Sequence, residues 1–110
     1  MKNKVSGLIL RPTVLKVDLK GIIDNIRLIK KKSENRDVIA IVKAGCYGLG
    51  AVPIAKAISE NNLAKFFGIS TLYEGEILRE KGIKEEILVL GALIPEELER
   101  ALYYKITPSV

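Results

Sequence analysis

Lys43 is the residue in this sequence whose type and position most clearly suggest chemistry. It directly follows the unbroken apolar run of residues 38–42. Such a run is typical of a strand buried on both faces of a parallel sheet, and reactive groups in such folds gather at the carboxyl ends of the strands. Burial favours the uncharged amine, which can attack a carbonyl and form a Schiff base. Position alone equally allows a lysine that extends from a strand end into water.

A glycine-rich segment follows, with Gly45, Gly48 and Gly50. Glycines permit a tight turn and a close approach of the backbone to a ligand, and the N-terminus of a following helix attracts phosphate. The glycine order matches neither a dinucleotide-binding fingerprint nor a P-loop. Tyr47 lies four residues after Lys43. Its hydroxyl could donate to the same ligand, or its ring could pack under the turn, and the sequence leaves both open.

The composition excludes several kinds of site. The chain has no histidine, so it holds no serine–histidine or cysteine–histidine pair and no histidine-containing zinc site. Cys46 is the single cysteine, which excludes an internal disulfide and favours a reducing, cytoplasmic compartment. No stretch approaches the ~20 apolar residues of a membrane span, and no secretion signal is evident. We therefore expect no metal and no membrane partner.

The net charge of +5 makes the placement of the basic residues important. The densest basic cluster, residues 30–32, lies at the end of a helical pattern, where cations interact favourably with the helix dipole. Aromatic residues make up only 5% of the chain, and no RNA-binding signature occurs. We therefore expect no nucleic-acid partner.

The elements that would position Lys43 alternate between strand and helix. A half-exposed strand is predicted for residues 13–19, followed by a helix with an apolar stripe of Ile22, Ile23, Ile26 and Ile29. Strands are then predicted at residues 38–42, 66–70 and 87–90, each followed by a helical pattern, and a further extended segment begins at Ile106. Successive βα units of this kind predict an α/β fold with a parallel sheet, either doubly wound or closed into an eight-fold barrel. A closed barrel takes ~250 residues, so we expect this chain to be part of a longer protein.

Residues 42–51, V-K-A-G-C-Y-G-L-G-A, resemble the pyridoxal-phosphate lysine motif of the bacterial alanine racemases, V-K-A-[DN]-A-Y-G-H/L-G-A. The segment from Arg11-Pro12-Thr13 to Asp18-Leu19 and Asn25 resembles the opening block of that family. Residues 70–83 and 87–110 resemble its later blocks in the same order and spacing. The resemblance covers nearly the whole chain from Arg11 onward.

This resemblance implies a homodimeric enzyme that depends on pyridoxal 5'-phosphate, interconverts L- and D-alanine and supplies D-alanine for peptidoglycan. Lys43 would bind the cofactor through a Schiff base and transfer the Cα proton, and Tyr47 would contact the cofactor phosphate. The implied fold is a partial (β/α)8 TIM barrel of the pyridoxal-phosphate-binding type, with three βα units in residues 38–110. Residues 1–37 would supply a strand and a helix, the strand pairing with a C-terminal β domain. The proton-transfer group for the opposite face would be a tyrosine of the other subunit, so the 110 residues alone are expected to be inactive.

Two residues depart from the motif. Gly45 replaces an acidic or amide residue, which predicts a looser turn, and Cys46 replaces an alanine. Cys46 would lie near an electrophilic aldehyde, but a small buried hydrophobic residue is the expected role.

Other functions remain open. The chain could belong to a racemase for another amino acid, such as serine, or to a cofactor carrier without catalysis. It could also be a truncated, non-catalytic fragment that only binds a racemase subunit.

Overall fold

A computed structural model describes residues 12–109, so Arg11 and Val110 lie outside the described residues. The strands are β1 (Ile39–Ile41), β2 (Phe66–Ile69), β3 (Glu86–Val89) and β4 (Ile106–Thr107). They form one sheet in the order β1-β2-β3-β4, and every neighbouring pair is parallel. The helices are α1 (Leu19–Lys32), the short segment α2 (Lys43–Tyr47), α3 (Ala51–Glu60), α4 (Leu72–Glu80) and α5 (Leu98–Tyr103), with a 3₁₀ turn at Pro95–Glu97. This partial α/β barrel, with three βα units from β1 onward, confirms the predicted fold class.

Local sequence signals explain where the helices begin and end. Thr71 caps α4, and Gly82 follows the helix with a φ of 95°, which a glycine adopts without steric cost. Pro53 lies in the first turn of α3, where its missing N–H costs nothing. The basic residues 30–32 form the last turn of α1, as the charge pattern predicts.

The predicted strand over residues 13–19 is not formed among the described residues. Asp18 is instead the N-cap of α1, and its carboxylate accepts a hydrogen bond from the Gly21 N–H at 3.0 Å. Because this cap starts the helix, Leu19 is already its first residue. Pairing of residues 13–18 with a later β domain stays a prediction. The predicted apolar stripe of α1 is also too wide, since Ile23 is buried whereas Ile29 is largely exposed.

The two faces of the sheet differ sharply. The helices cover the face that carries the fully buried Phe67, Ile69, Ile87 and Val89. On the other face, Ile39 and Ile41 of β1 remain 48% and 49% exposed. The prediction that β1 is buried on both faces is therefore wrong for the described residues, because none of them covers this side. In a closed barrel this face lines the packed interior.

Two arginines fasten α4 to its surroundings. Arg79 donates hydrogen bonds to the backbone carbonyls of the α4–β3 and α5–β4 loops at 2.7–3.0 Å. Arg100 of α5 makes a bidentate ion pair with Glu76, a buried acidic residue of α4, at 2.6 and 2.7 Å. A planar guanidinium suits both arrangements because its N–H groups form a rigid fork. These contacts tie α4 to α5 and to the loops that precede β3 and β4.

Candidate active site

Lys43 lies where the sequence predicts it, at the carboxyl end of β1. The preceding residue, Val42, is 2% exposed, and its N–H donates to the Gly68 carbonyl of β2 at 2.9 Å. Pairing with β2 therefore continues up to the residue before the lysine, which fixes the direction in which the chain leaves the sheet. Lys43 itself is partly buried. A primary amine is thus held at the edge of the sheet where parallel α/β proteins carry their reactive groups.

The segment after Lys43 is a single turn of left-handed helix. Ala44, Gly45, Cys46 and Tyr47 all have positive φ, between 53° and 61°. The predicted tight turn is present, but its left-handed sense was not predicted. Only glycine, and to a lesser degree asparagine and aspartate, adopt this region readily, so Gly45 and the family's acidic or amide residue both suit the position.

The turn is costly for the other residues that form it. A left-handed conformation costs roughly 1–2 kcal/mol for a residue with a Cβ, and Ala44, Cys46 and Tyr47 each carry one. Within the turn, the Cys46 N–H donates to the Val42 carbonyl at 3.3 Å and the Gly50 N–H to the Gly45 carbonyl at 2.8 Å. Strained backbone of this kind persists only where the surrounding structure holds it in place.

Glu74, in the first turn of α4, connects this turn to the neighbouring strand end. One carboxylate oxygen, Oε2, accepts a hydrogen bond from the Ala44 N–H at 2.6 Å. The other, Oε1, accepts from the Ser70 N–H at 2.7 Å and from the Thr71 N–H and the Ser70 hydroxyl at 2.9 Å each. Burial tends to raise the pKa of Glu74, but the hydrogen bonds from Thr71, Ser70 and Ala44 together outweigh it and lower the pKa. Glu74 is therefore a carboxylate at neutral pH.

The side chains of Tyr47 and Cys46 lie in different environments. The Tyr47 side chain is 74% exposed, so the interpretation that its ring packs under the turn is wrong, and its hydroxyl is accessible to a ligand. Cys46 is partly buried against the core, and its thiol donates weakly to the Val42 carbonyl at 3.9 Å. Burial raises the pKa of the Cys46 thiol, which keeps it protonated and unreactive at neutral pH.

Sequence reasoning proposed Lys43 and Tyr47 as site residues but did not single out Glu74. The available signal was the spacing of Thr71 and Glu74, which is that of a capping box. This pattern predicts the contact within α4 but not the contact with Ala44, which depends on β1 and β2 being neighbours. Elsewhere in residues 12–109, no group of acidic, cysteine or histidine side chains could hold a metal ion, and no helix is long and apolar enough to cross a membrane.

Comparison with known proteins places this chain in a family. Residues 17–110 match the sequence model described as the N-terminal domain of alanine racemase. Similar curated proteins are the alanine racemases of Carboxydothermus hydrogenoformans, 40% identical over 101 residues, and Streptococcus uberis, 42% identical over 101 residues. These matches cover 92% and 91% of this chain.

Solved structures give the same result. Alanine racemase from Oenococcus oeni superposes with a TM-score of 0.81 at 34% identity, over 86% of this chain and 24% of that one. A histidine racemase from Leuconostoc mesenteroides superposes with a TM-score of 0.75 at 27% identity, over 84% of this chain and 24% of that one. The chain spans only 27% of the length of the two curated relatives named above. The matched domain and the identities show that the chain belongs to the alanine racemase family.

Proposed function

We propose that this chain is the N-terminal part of a cytoplasmic, homodimeric alanine racemase that depends on pyridoxal 5'-phosphate and supplies D-alanine for peptidoglycan. The observation that carries this proposal is the position of Lys43. Lys43 directly follows β1 at its carboxyl end, and Tyr47, whose side chain is exposed, lies four residues further on in the left-handed turn. The alanine racemases similar to this chain support alanine as the substrate.

The side chains at this edge fit the cofactor by their chemistry. A primary amine condenses with an aldehyde, and a phenol hydroxyl donates a hydrogen bond to a phosphate. Lys43 would hold the cofactor covalently and Tyr47 would bind its phosphate. When bound, pyridoxal phosphate supplies a conjugated ring that accepts the electrons of the substrate's Cα–H bond.

Lys43 would have a second role when the substrate amino acid is bound. Its free amine would take a proton from Cα, or return one, on one face of the substrate. Exchange between the two enantiomers also needs a proton-transfer group on the opposite face, which the resemblance assigns to a tyrosine of the second subunit. We therefore expect the 110 residues by themselves to lack racemase activity.

Chemical trapping tests the assignment of Lys43. The complete polypeptide that contains this chain is incubated with pyridoxal phosphate, reduced with borohydride, digested and mapped by mass spectrometry. We expect the cofactor mass on the peptide that contains Lys43, because this amine is held at the site, and not on the peptide with the exposed Lys65. No label, or equal labelling of both peptides, would contradict the proposal. The absence of label would favour the alternative in which the chain binds a racemase subunit without holding the cofactor.

Removal of the Tyr47 hydroxyl tests its contact with the phosphate. In Tyr47→Phe, we expect the dissociation constant for pyridoxal phosphate to rise about tenfold or more, because a hydrogen bond to a charged group contributes about 1.5–3 kcal/mol. Titration of the cofactor-free protein measures this constant. Tyr103→Phe is the matched control, since Tyr103 is similarly exposed but lies at the end of α5, before β4 and so at the opposite end of the strands. An unchanged constant for Tyr47→Phe would remove Tyr47 from the site.

A second candidate function is racemisation of another amino acid. The histidine racemase similar to this chain supports it, because the part of it that matches this chain has the same fold at 27% identity. A panel of single enantiomers of alanine, serine and histidine, followed by chiral chromatography, separates these substrates.

A further inference from the structure

We infer that Glu74 is a positioning residue for Lys43, because its carboxylate ties the backbone directly after the lysine to the β2–α4 loop. This inference rests on the proposed function, since it assumes that Lys43 is the residue that holds the cofactor.

The two oxygens of Glu74 bind to different parts of the chain. Oε1 accepts three hydrogen bonds from Ser70 and Thr71, all in the loop that leads into α4. Oε2 accepts one hydrogen bond, at 2.6 Å, from the Ala44 N–H, which is 30 residues away in sequence. Capping of α4 requires only the contact with Thr71. The contact of Oε2 with Ala44 therefore needs a reason other than capping.

That reason lies in the left-handed turn. Ala44 is the first of the residues with positive φ, and it carries a Cβ that disfavours this conformation. A hydrogen bond to a charged acceptor is roughly twice as strong as one between neutral groups, so Glu74 offsets part of this cost where the turn begins. Its lowered pKa keeps the acceptor charged at neutral pH.

The effect on Lys43 follows from covalent geometry. The Ala44 nitrogen is bonded to the Lys43 carbonyl carbon, so fixing it fixes the peptide plane next to the lysine Cα. Glu74 is itself held by three hydrogen bonds from the loop that leads into α4 and by its own place in the first turn of that helix. The Lys43 side chain is therefore attached to a backbone that is fixed at the neighbouring ends of β1 and β2. A misplacement of about 1 Å in such a group can lower a rate roughly 100-fold.

Glu74→Gln in the complete protein is the test. The glutamine amide has one acceptor oxygen, and its NH₂ group must then face an N–H donor, so one side of the bridge is lost. We expect amide hydrogen exchange at Ala44 to become about tenfold faster or more. We also expect the borohydride-trapped attachment of pyridoxal phosphate to Lys43 to slow, and kcat to fall about 10- to 100-fold.

Two control variants separate positioning from helix stability. Thr71→Ala removes the hydroxyl that accepts from the Glu74 N–H at 3.4 Å, and so weakens the cap of α4 without touching Ala44. Glu76→Gln weakens the ion pair with Arg100 in the same helix. Both are expected to lower thermal stability but to leave Ala44 exchange and Lys43 attachment unchanged. Glu74→Asp keeps the charge but shortens the side chain, so we expect values between those of the unsubstituted protein and Glu74→Gln.

The possible failures are distinguishable. If the unsubstituted protein carries the cofactor on Lys43 and Glu74→Gln matches it in exchange and attachment rate, the inference is wrong and the proposed function stands. If Thr71→Ala changes both measurements as much as Glu74→Gln does, Glu74 is only a helix cap. If the unsubstituted protein carries no label on Lys43, the proposed function fails and the positioning role fails with it, even where Ala44 exchange responds.

Discussion

Replacement of Lys43 by alanine in the complete protein is expected to lower racemase turnover by about 10³-fold or more. By the proposed function, Lys43→Ala would remove both the amine that holds the cofactor and the proton-transfer group of one substrate face, and a positioned acid or base alone contributes about 10²–10⁴-fold. The alanine Cβ is tolerated at the start of α2, so the fold should remain intact. Initial rates from each enantiomer, with cofactor added in excess, measure the loss.

The comparison variant for this measurement is Lys65→Ala. Lys65 precedes β2 and therefore lies at the opposite end of the strands from Lys43. Its only ion pair among the described residues is with Asp37 at 3.3 Å, and both side chains are mostly exposed. An exposed pair of this kind contributes at most about 1 kcal/mol to stability. Turnover should be unchanged in Lys65→Ala, and a Lys43→Ala protein that keeps a tenth of its activity would rule out the catalytic role.

The periodicity of the sequence predicts most of the fold because most helices and strands agree with the apolar pattern of their own residues. The apolar run before Lys43 and the stripe of α3 need no distant contact to be recognised. The prediction of a strand over residues 13–19 is wrong among the described residues, because Asp18 is a good N-cap and α1 begins directly after it. The predicted burial of the second face of β1 is not found, because none of the described residues covers that face.

From the sequence, only those residues of the candidate site could be proposed whose type implies a reaction or that belong to the motif. Lys43 could be found from its place after a strand, and the motif singled out Tyr47. The left-handed turn could not be predicted from the sequence, because Ala44 and Cys46 do not favour positive φ and the conformation arises from tertiary contacts. The bridge made by Glu74 needs two strand ends side by side, and the parallel pairing of β1 with β2 supplies them.

Arg79 is expected to be the residue of this domain whose loss most weakens the fold outside the apolar core. In Arg79→Met the aliphatic part of the side chain is retained, but the hydrogen bonds to the carbonyls of Ile83, Glu85, Tyr104 and Lys105 are lost. Lys105 has a φ of 54°, so the loop that it belongs to is itself strained. Hydrogen bonds from a charged donor contribute about 1.5–3 kcal/mol each and are not additive, so we expect a loss of about 3 kcal/mol.

Urea unfolding of the complete protein, followed by circular dichroism, gives the size of this effect. Arg27→Met is the matched control, because Arg27 is exposed on α1 and, within residues 12–109, bonds only the side chains of Asn61 at 3.0 Å and Asp24 at 3.6 Å. Its substitution should change stability by no more than about 0.5 kcal/mol. Because Arg79 joins α4 to the loops before β3 and β4, its loss should also speed amide exchange in both loops together. Equal urea midpoints for the two variants would show that water replaces Arg79 at these carbonyls without loss of stability. The apolar face of α4 alone would then hold the helix in place.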